Sequence, residues 1–205
     1  MDSVEYLTHF AAVVAICLEN CVNRERLRLH SLIDVLTAVR NRRGFEEGLA
    51  REVARAIRTG KPLTAMFVDL DHFKRVNDQY GHQSGDRALK AIAQNIRQML
   101  RTTDQLARYG GEEFIALLPD CDHLQARNIA ARVNQQVAAL ECSDDDGNIF
   151  SITCSVGFSS WLNPCGHDFE SAIMAQRLVS QADKALYRAK QEGRDRASYI
   201  AFDEN

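Results

Sequence analysis

The chain has 205 residues, 45% of them hydrophobic and 26% charged, with a formal net charge of −3. That length fits one compact domain plus an appendage, with enough apolar residues for a full core. The near-neutral balance gives no field that would draw the chain to nucleic acid or to an anionic membrane, so a phosphate-handling site has to be built locally.

Val4, Leu7, Ala11, Val14, Leu18 and Cys21 recur at alternating steps of three and four, which predicts a helix with one apolar seam. Past Cys21 the seam shifts to Val22, Leu29 and Ile33, as a short insertion in a heptad would produce. Such a seam is buried either against the domain itself or in a parallel coiled coil with a second copy. The longest apolar run, Phe10 to Leu18, falls well short of the ~20 residues of a bilayer span. Asp2 and Glu5 stand where an export signal would be basic, and the six cysteines form no regular framework. A cytoplasmic chain with free thiols and no membrane insertion is expected. Cys121 with His123 and Cys165 with His167 are weak metal pairs at most.

Asp34 to Asn41 breaks the helical pattern. A helix follows from Gly44 to Thr59, with Phe45, Leu49, Val53 and Ile57 on one face, and Gly60-Lys61-Pro62 ends it. Leu63 to Leu70 is continuously apolar, the mark of a buried central strand. A polar turn holding Asn77, Gly81, His82 and Gly85 then leads to a helix from Asp86 to Leu100. Leu106–Tyr109 and Phe114–Leu118 read as a hairpin turning on Gly110-Gly111. Leu124 to Leu140 is helical, Asp144 to Asn148 a turn, Phe150 to Trp161 a strand, Phe169 to Gln191 a helix, and Ser198 to Phe202 an edge strand. Strands and helices interleave, and the short turns imply a largely antiparallel sheet.

Three features carry chemistry. Asp69-Leu70-Asp71 closes the buried strand, where a carboxylate is fixed by the sheet while facing a ligand. Gly110-Gly111-Glu112-Glu113-Phe114 offers two glycines that permit positive φ and close phosphate approach, followed by two glutamates that repel unless a cation is shared. Lys190 and Arg194 stand i and i+4 near the end of the last helix. A hairpin beside the central strand would bring Glu112 to Asp69, giving the hard oxygen ligands that Mg²⁺ prefers.

These residues resemble the GGDEF-domain diguanylate cyclase family. Phe67-Val68-Asp69-Leu70-Asp71-His72-Phe73-Lys74 with Asn77-Asp78, Gly81-His82 and Gly85-Asp86 is similar to the family's first core motif. Arg108-Tyr109-Gly110-Gly111-Glu112-Glu113-Phe114 resembles its signature. Ala182 to Tyr187, Ala189-Lys190 and Gly193-Arg194 resemble its closing motif, and Asp34-x-Leu36-Thr37 with Asn41-Arg42-Arg43 its opening. The resemblance implies an α/β (α+β) fold: a cyclase- or polymerase-palm-like, five-stranded, mostly antiparallel sheet wrapped by helices. It also implies condensation of two GTP into cyclic di-GMP with release of pyrophosphate.

On that resemblance, Asp69, the Leu70 carbonyl and Glu112 would hold Mg²⁺, with Mn²⁺ as an alternative. Lys74 and the amides around His72 and Phe73 would cradle phosphate oxygens, and Lys190 with Arg194 would neutralise pyrophosphate. Glu113 is a candidate for assisting deprotonation of the attacking hydroxyl. Arg108, Gly110 and Gly111 fall on the substrate side of the signature. Asn77 and Asp86 resemble the guanine readers, since a carboxylate accepts from guanine N1–H and N2–H₂, which adenine does not offer. Arg101-Thr102-Thr103-Asp104 resembles the family's product-inhibition motif, with Arg132 as an added contact.

Cyclic di-GMP needs two nucleotides facing each other, so a homodimer is implied. Residues 1–32 would then be a coiled-coil stalk or the last helix of a missing upstream sensory module, and residues 33–205 the catalytic domain. A catalytically silent receptor for cyclic di-GMP or GTP is the competing expectation.

Overall fold

The computed structural model describes residues 32–162, 164 and 171–203, together with positions 14, 16, 18 and 19. The expected stalk therefore lies almost wholly outside the described residues, as does the Cys165/His167 pair. Val14 and Leu18 of its seam are helical and exposed.

Between residues 40 and 199, eight strands and four helices are described: β1 (Arg40–Asn41), α1 (Arg42–Thr59), β2 (Leu63–Leu70), α2 (Phe73–Met99), β3 (Gln105–Arg108), β4 (Glu113–Pro119), α3 (His123–Ala138), β5 (Cys142–Ser143), β6 (Ile149–Phe150), β7 (Cys154–Trp161), α4 (Ser171–Gln191) and β8 (Ala197–Tyr199). Six of the strands form one sheet in the order β1-β3-β4-β2-β7-β8. The central pairs β3/β4, β4/β2 and β2/β7 are antiparallel, whereas the edge pairs β1/β3 and β7/β8 are parallel. The sheet thus has one strand more than the five expected, because the two-residue β1 joins its edge.

Every residue of β2 is buried. Met66, Val68 and Leu70 face one apolar cluster with α2 and α3, while Leu63, Ala65 and Phe67 face another with α1 and α4. Helices on both faces explain why this antiparallel strand carries a continuous apolar run instead of an alternating one. Sharp ends frame the helices. Asn41 caps α1 by accepting from the Gly44 amide, and Gly60 ends it in the left-handed region. Asp122 and Gln125 form a reciprocal capping box on α3.

The sequence pattern misplaces two stretches. Asn77, Gly81, His82 and Gly85 lie inside α2, not in a turn; the helix runs through them with a kink at Gly81 (φ 80°, ψ 157°). A Cβ at Gly81 would meet nothing within 4 Å, so the backbone angle, not space, requires glycine there. The expected Phe150–Trp161 strand divides into β6, which pairs with β5 in a separate hairpin, and β7 in the main sheet. The Asp144 carboxylate accepts from the amides of Asp146 and Asn148, and this turn draws β6 back onto β5.

Candidate active site

The central strands end together. Asp69, the next-to-last residue of β2, sits opposite Glu113 of β4 on one side and Ser155 of β7 on the other. The Leu70 amide donates to the Glu112 carbonyl at 3.4 Å, which fixes the start of the acidic pair beside the strand end. From across the sheet, α4 brings Lys190, whose Nζ bonds Asp69 Oδ2 at 2.9 Å. Burial raises the proton affinity of Asp69, the Lys190 ammonium opposes that, and Glu112 and Asp71 add to it. Burial also pushes the Glu113 carboxyl up, reinforced by Asp69 and Asp183 and opposed by Lys190. Glu113, Asp183, Tyr187 and Lys190 line a cleft of about 260 Å³.

The two aspartates of the strand end have separate environments. Asp71 is 5% exposed, and both its oxygens are taken: Ser155 Oγ donates at 2.7 Å, Thr153 Oγ1 at 2.8 Å and the Asp195 amide at 3.1 Å. It ties β7 and the segment after α4 to the end of β2. Asp69 bonds a side-chain cation instead.

The glycines and cations of the site differ from the pattern expected. Neither Gly110 nor Gly111 has positive φ. The Tyr109–Glu113 turn closes through reciprocal Gly110 and Glu113 backbone bonds. A Cβ at Gly110 would come within 3.0 Å of Glu113 Oε2, whereas one at Gly111 would meet nothing, leaving an open backbone edge. Arg108 donates from Nε to the Gly111 carbonyl at 2.9 Å and from Nη1 to Asp34 at 3.3 Å, so it braces the turn against the opening motif. Lys190 and Arg194 do not share a helical face, because α4 ends at Gln191. Gly193, Arg194 and Asp195 all take positive φ, and the Arg194 amide closes this turn on the Ala189 carbonyl. Arg194 is exposed there.

At the start of α2, His72 sits in the left-handed region without a side-chain cap, which leaves the first helical amides, including those of Phe73 and Lys74, turned toward the exposed end. Lys74 is exposed. Asn77 and Gly85 meet across the kink: a Cβ at Gly85 would collide with Asn77 Oδ1, and Asp86 is the residue that follows Gly85. Gly85 was legible as a turn residue; its actual use is to admit Asn77. Residues that pattern reading left without a role are Asp183, Tyr187 and Gly157. The first two share the 183/187/190 helical spacing with Lys190, a signal available in the sequence.

Among the described residues, no group of three or more His, Cys, Asp or Glu side chains is set to hold a metal ion. Two carboxylates and a strand-end carbonyl nevertheless fit Mg²⁺, which keeps several waters and takes substrate oxygens. The ammonium already seated on Asp69 marks that oxygen as a cation position. Cys121, Cys142 and Cys154 are free and buried.

Away from this site, Arg101, Asp104 and Arg132 line a single cavity of about 420 Å³ with Gln125 and Asn128. The Arg101 amide donates to Asp104 Oδ2 at 2.8 Å, and Arg132 donates to the Met99 carbonyl at 2.7 Å. Burial raises the proton affinity of Asp104, with the Arg101 amide and charge opposing.

The family model described as "Diguanylate cyclase, GGDEF domain" matches residues 31–196. The chain is 42% identical over 172 residues to the diguanylate cyclase DgcP of Pseudomonas aeruginosa, a match covering 84% of this chain and 24% of that protein. It therefore spans about a quarter of that relative's length. Its fold is similar to the coiled coil and GGDEF domain of DgcB from Caulobacter crescentus in complex with c-di-GMP, with a TM-score of 0.82 and 26% identity over 97% of this chain and 100% of that one. It is also similar to the active GGEEF domain of a diguanylate cyclase from Vibrio cholerae, with a TM-score of 0.67 and 30% identity over 80% and 98%. With four ordered motifs at one end of a cyclase-like sheet and a family match across most of its length, the chain belongs to the GGDEF-domain family of diguanylate cyclases.

Proposed function

We propose that this chain is the catalytic module of a diguanylate cyclase, joining two GTP into cyclic di-GMP with release of two pyrophosphates. The observation that carries this reading is the convergence of Asp69, Glu112, Glu113 and Lys190 at one sheet end, with the signature glutamates intact. The reaction is attack of a 3′-hydroxyl on an α-phosphate, so the site must neutralise the triphosphate and receive a proton. A divalent ion on Asp69, Glu112 and the Leu70 carbonyl would supply the neutralisation. Glu113, its proton affinity raised, is suited to accept the hydroxyl proton. The amides of Phe73 and Lys74, the Lys74 side chain and the open Gly111 edge would hold phosphate oxygens. Lys190 and Arg194 would take the charge of the leaving group. Asn77, which packs on Gly85 across the kink, and Asp86, the residue after Gly85, would read guanine.

One site holds one nucleotide, so the working form is a head-to-tail homodimer. Residues 33–205 are the catalytic unit and residues 1–32 the stalk linking it to an upstream sensory module. Exposure of the apolar Val14 and Leu18 supports burial of that seam between copies. The shared lining of the 420 Å³ cavity by Arg101, Asp104 and Arg132 supports a feedback site for cyclic di-GMP. Among the described residues no helix is long and apolar enough to cross a membrane, and a GTP-consuming reaction suits the cytoplasm.

The test is incubation of the purified chain with GTP and Mg²⁺, following cyclic di-GMP and pyrophosphate by chromatography over a range of protein concentrations. Product whose specific rate rises with concentration supports both chemistry and dimer. GTP binding without product at any concentration refutes the catalytic reading in favour of a receptor.

A further inference from the structure

The kink of α2 divides the two residues proposed to read guanine. Asn77 belongs to the half before Gly81 and Asp86 to the half after it. A helix interrupted at one residue lacks the hydrogen-bond continuity that would fix the angle between its halves. That angle sets the distance between Asn77 and Asp86.

The β5–β6 hairpin touches both halves. Before the kink, the Tyr80 ring stacks on Phe150 at 4.3 Å between centroids and 11° between planes. After it, Arg87 Nη1 pairs with Asp145 Oδ1 at 2.8 Å, and Nη2 reaches the Ser143 carbonyl at 3.5 Å while donating to Ser84 Oγ at 2.9 Å. The hairpin is stiff enough to transmit this. Asp144 gathers the amides of Asp146 and Asn148 and the Asn148 side chain, and Phe150, 7% exposed, is set in the core. A cavity of about 250 Å³ lies between the first half of α2 (Arg75, Gln79, Tyr80) and Phe150–Thr153, with the Tyr80–Phe150 stack at its edge.

We infer that the β5–β6 hairpin is a splint across the Gly81 kink, and that it determines guanine selectivity by holding Asn77 and Asp86 at a fixed separation. Tyr80, Arg87, Asp145 and Phe150 are positioning residues here. The inference rests on the proposed guanine-reading role of Asn77 and Asp86. It assigns the hairpin a part in choosing the base and none in the phosphate chemistry.

The test compares kcat/KM for GTP with that for inosine triphosphate, which lacks the 2-amino group, in the full chain and its variants. Tyr80→Ala is expected to reduce the preference for GTP by about threefold to tenfold, and the exposed Asp145→Lys by about twofold to threefold, with a smaller loss on inosine triphosphate, which keeps only the N1–H of the two donors. The paired reversal Arg87→Glu/Asp145→Lys is expected to regain part of the preference, as a direct contact requires. An unchanged preference in variants that melt like the unmodified chain overturns the splint, as does an equal loss on both nucleotides. Because Asp145 is a surface residue, its variant keeps the test decisive even if Tyr80→Ala folds poorly. If the unmodified chain used the two nucleotides equally, reading of the 2-amino group by Asn77 and Asp86 would fail and the inference with it.

Discussion

Asp71 is two residues from Asp69, yet the structure gives it a different task, and the difference is measurable. Its carboxylate accepts from two hydroxyls and one amide, and one of those hydroxyls, on Ser155, is fully buried. In Asp71→Asn the remaining oxygen still serves Thr153 and Asp195, while Ser155 can rotate to accept from the new amide. The loss is the charged character of the bonds, about 1–2 kcal/mol. In Asp71→Ala three donors lose their acceptor, at roughly 1–3 kcal/mol each when buried, and partial hydration of the exposed members leaves about 4 kcal/mol. At about 2–4 °C per kcal/mol for a domain of this size, alanine should lower the melting temperature by about 8–16 °C and asparagine by about 2–8 °C. Circular-dichroism melts would measure this beside Mg²⁺ titrations of pyrophosphate release. Half-saturating Mg²⁺ should stay near that of the unmodified chain in Asp71→Asn, whereas Asp69→Asn should raise it at least roughly tenfold. A tenfold rise in Asp71→Asn with a native melting curve would show that Asp71 is a metal ligand and refute the reasoning.

Glu113→Gln should abolish cyclic di-GMP formation and yet melt higher than the unmodified chain at neutral pH. Its proton affinity is raised in the fold, so the ionised form carries a penalty above that raised value; the penalty fades as pH falls below the ordinary 4.5, and the two melting curves should converge there. Melts from neutral pH downward check this, and a variant less stable at pH 7 would contradict it. Arg101→Ala should leave the initial rate with GTP intact but raise the cyclic di-GMP concentration for half-inhibition, and an unchanged inhibition curve would remove the 420 Å³ cavity from regulation. Asp86→Ser should narrow the preference for GTP over ATP by about tenfold, given roughly 1–3 kcal/mol for the lost acceptor, as competition kinetics would report.

Much of this was legible in the sequence because the features are local. The unbroken apolar run of β2, the Asn41 and Gly60 ends of α1, and the Gly-Gly-Glu-Glu turn each announce themselves within a few residues. What escaped depends on neighbours distant in sequence. Asp71 could not be told from Asp69 until Thr153, Ser155 and Asp195 were seen around it. Gly81 and Gly85 lie four residues apart and look alike in the sequence. One serves a backbone angle, while the other clears space for Asn77. The Gly110-Gly111 pair suggests positive φ, but the turn needs no such angle, and only at Gly110 would a side chain press on a neighbour, Glu113 Oε2. The division of Phe150–Trp161 was hidden for the same reason: alternation describes a strand's faces, but the strand's partner is chosen by the Asp144 turn.

The position of Lys190 follows from a contact still further from the chemistry. A Cβ at Gly157 of β7 would fall on the backbone of Leu186 and within 2.6 Å of the Ala182 carbonyl, so α4 rests directly on the strand backbone. Lys190, one turn beyond Leu186, consequently reaches Asp69, and Asp183, about one turn before it, bears on Glu113. The same helix thus adds an ammonium and a carboxylate to a sheet end already crowded with acidic groups. An ammonium on Asp69 Oδ2 and a divalent ion on the same carboxylate would repel each other. Occupation of Asp69 by such an ion would therefore favour release of Lys190 toward the phosphates, and phosphates that attracted Lys190 would leave Asp69 freer for the ion. Linkage makes the two affinities reinforce one another, so ion and triphosphate should bind more tightly together than separately. The close approach that Gly157 allows between α4 and β7 is what sets Lys190 beside Asp69, where it would answer to both partners.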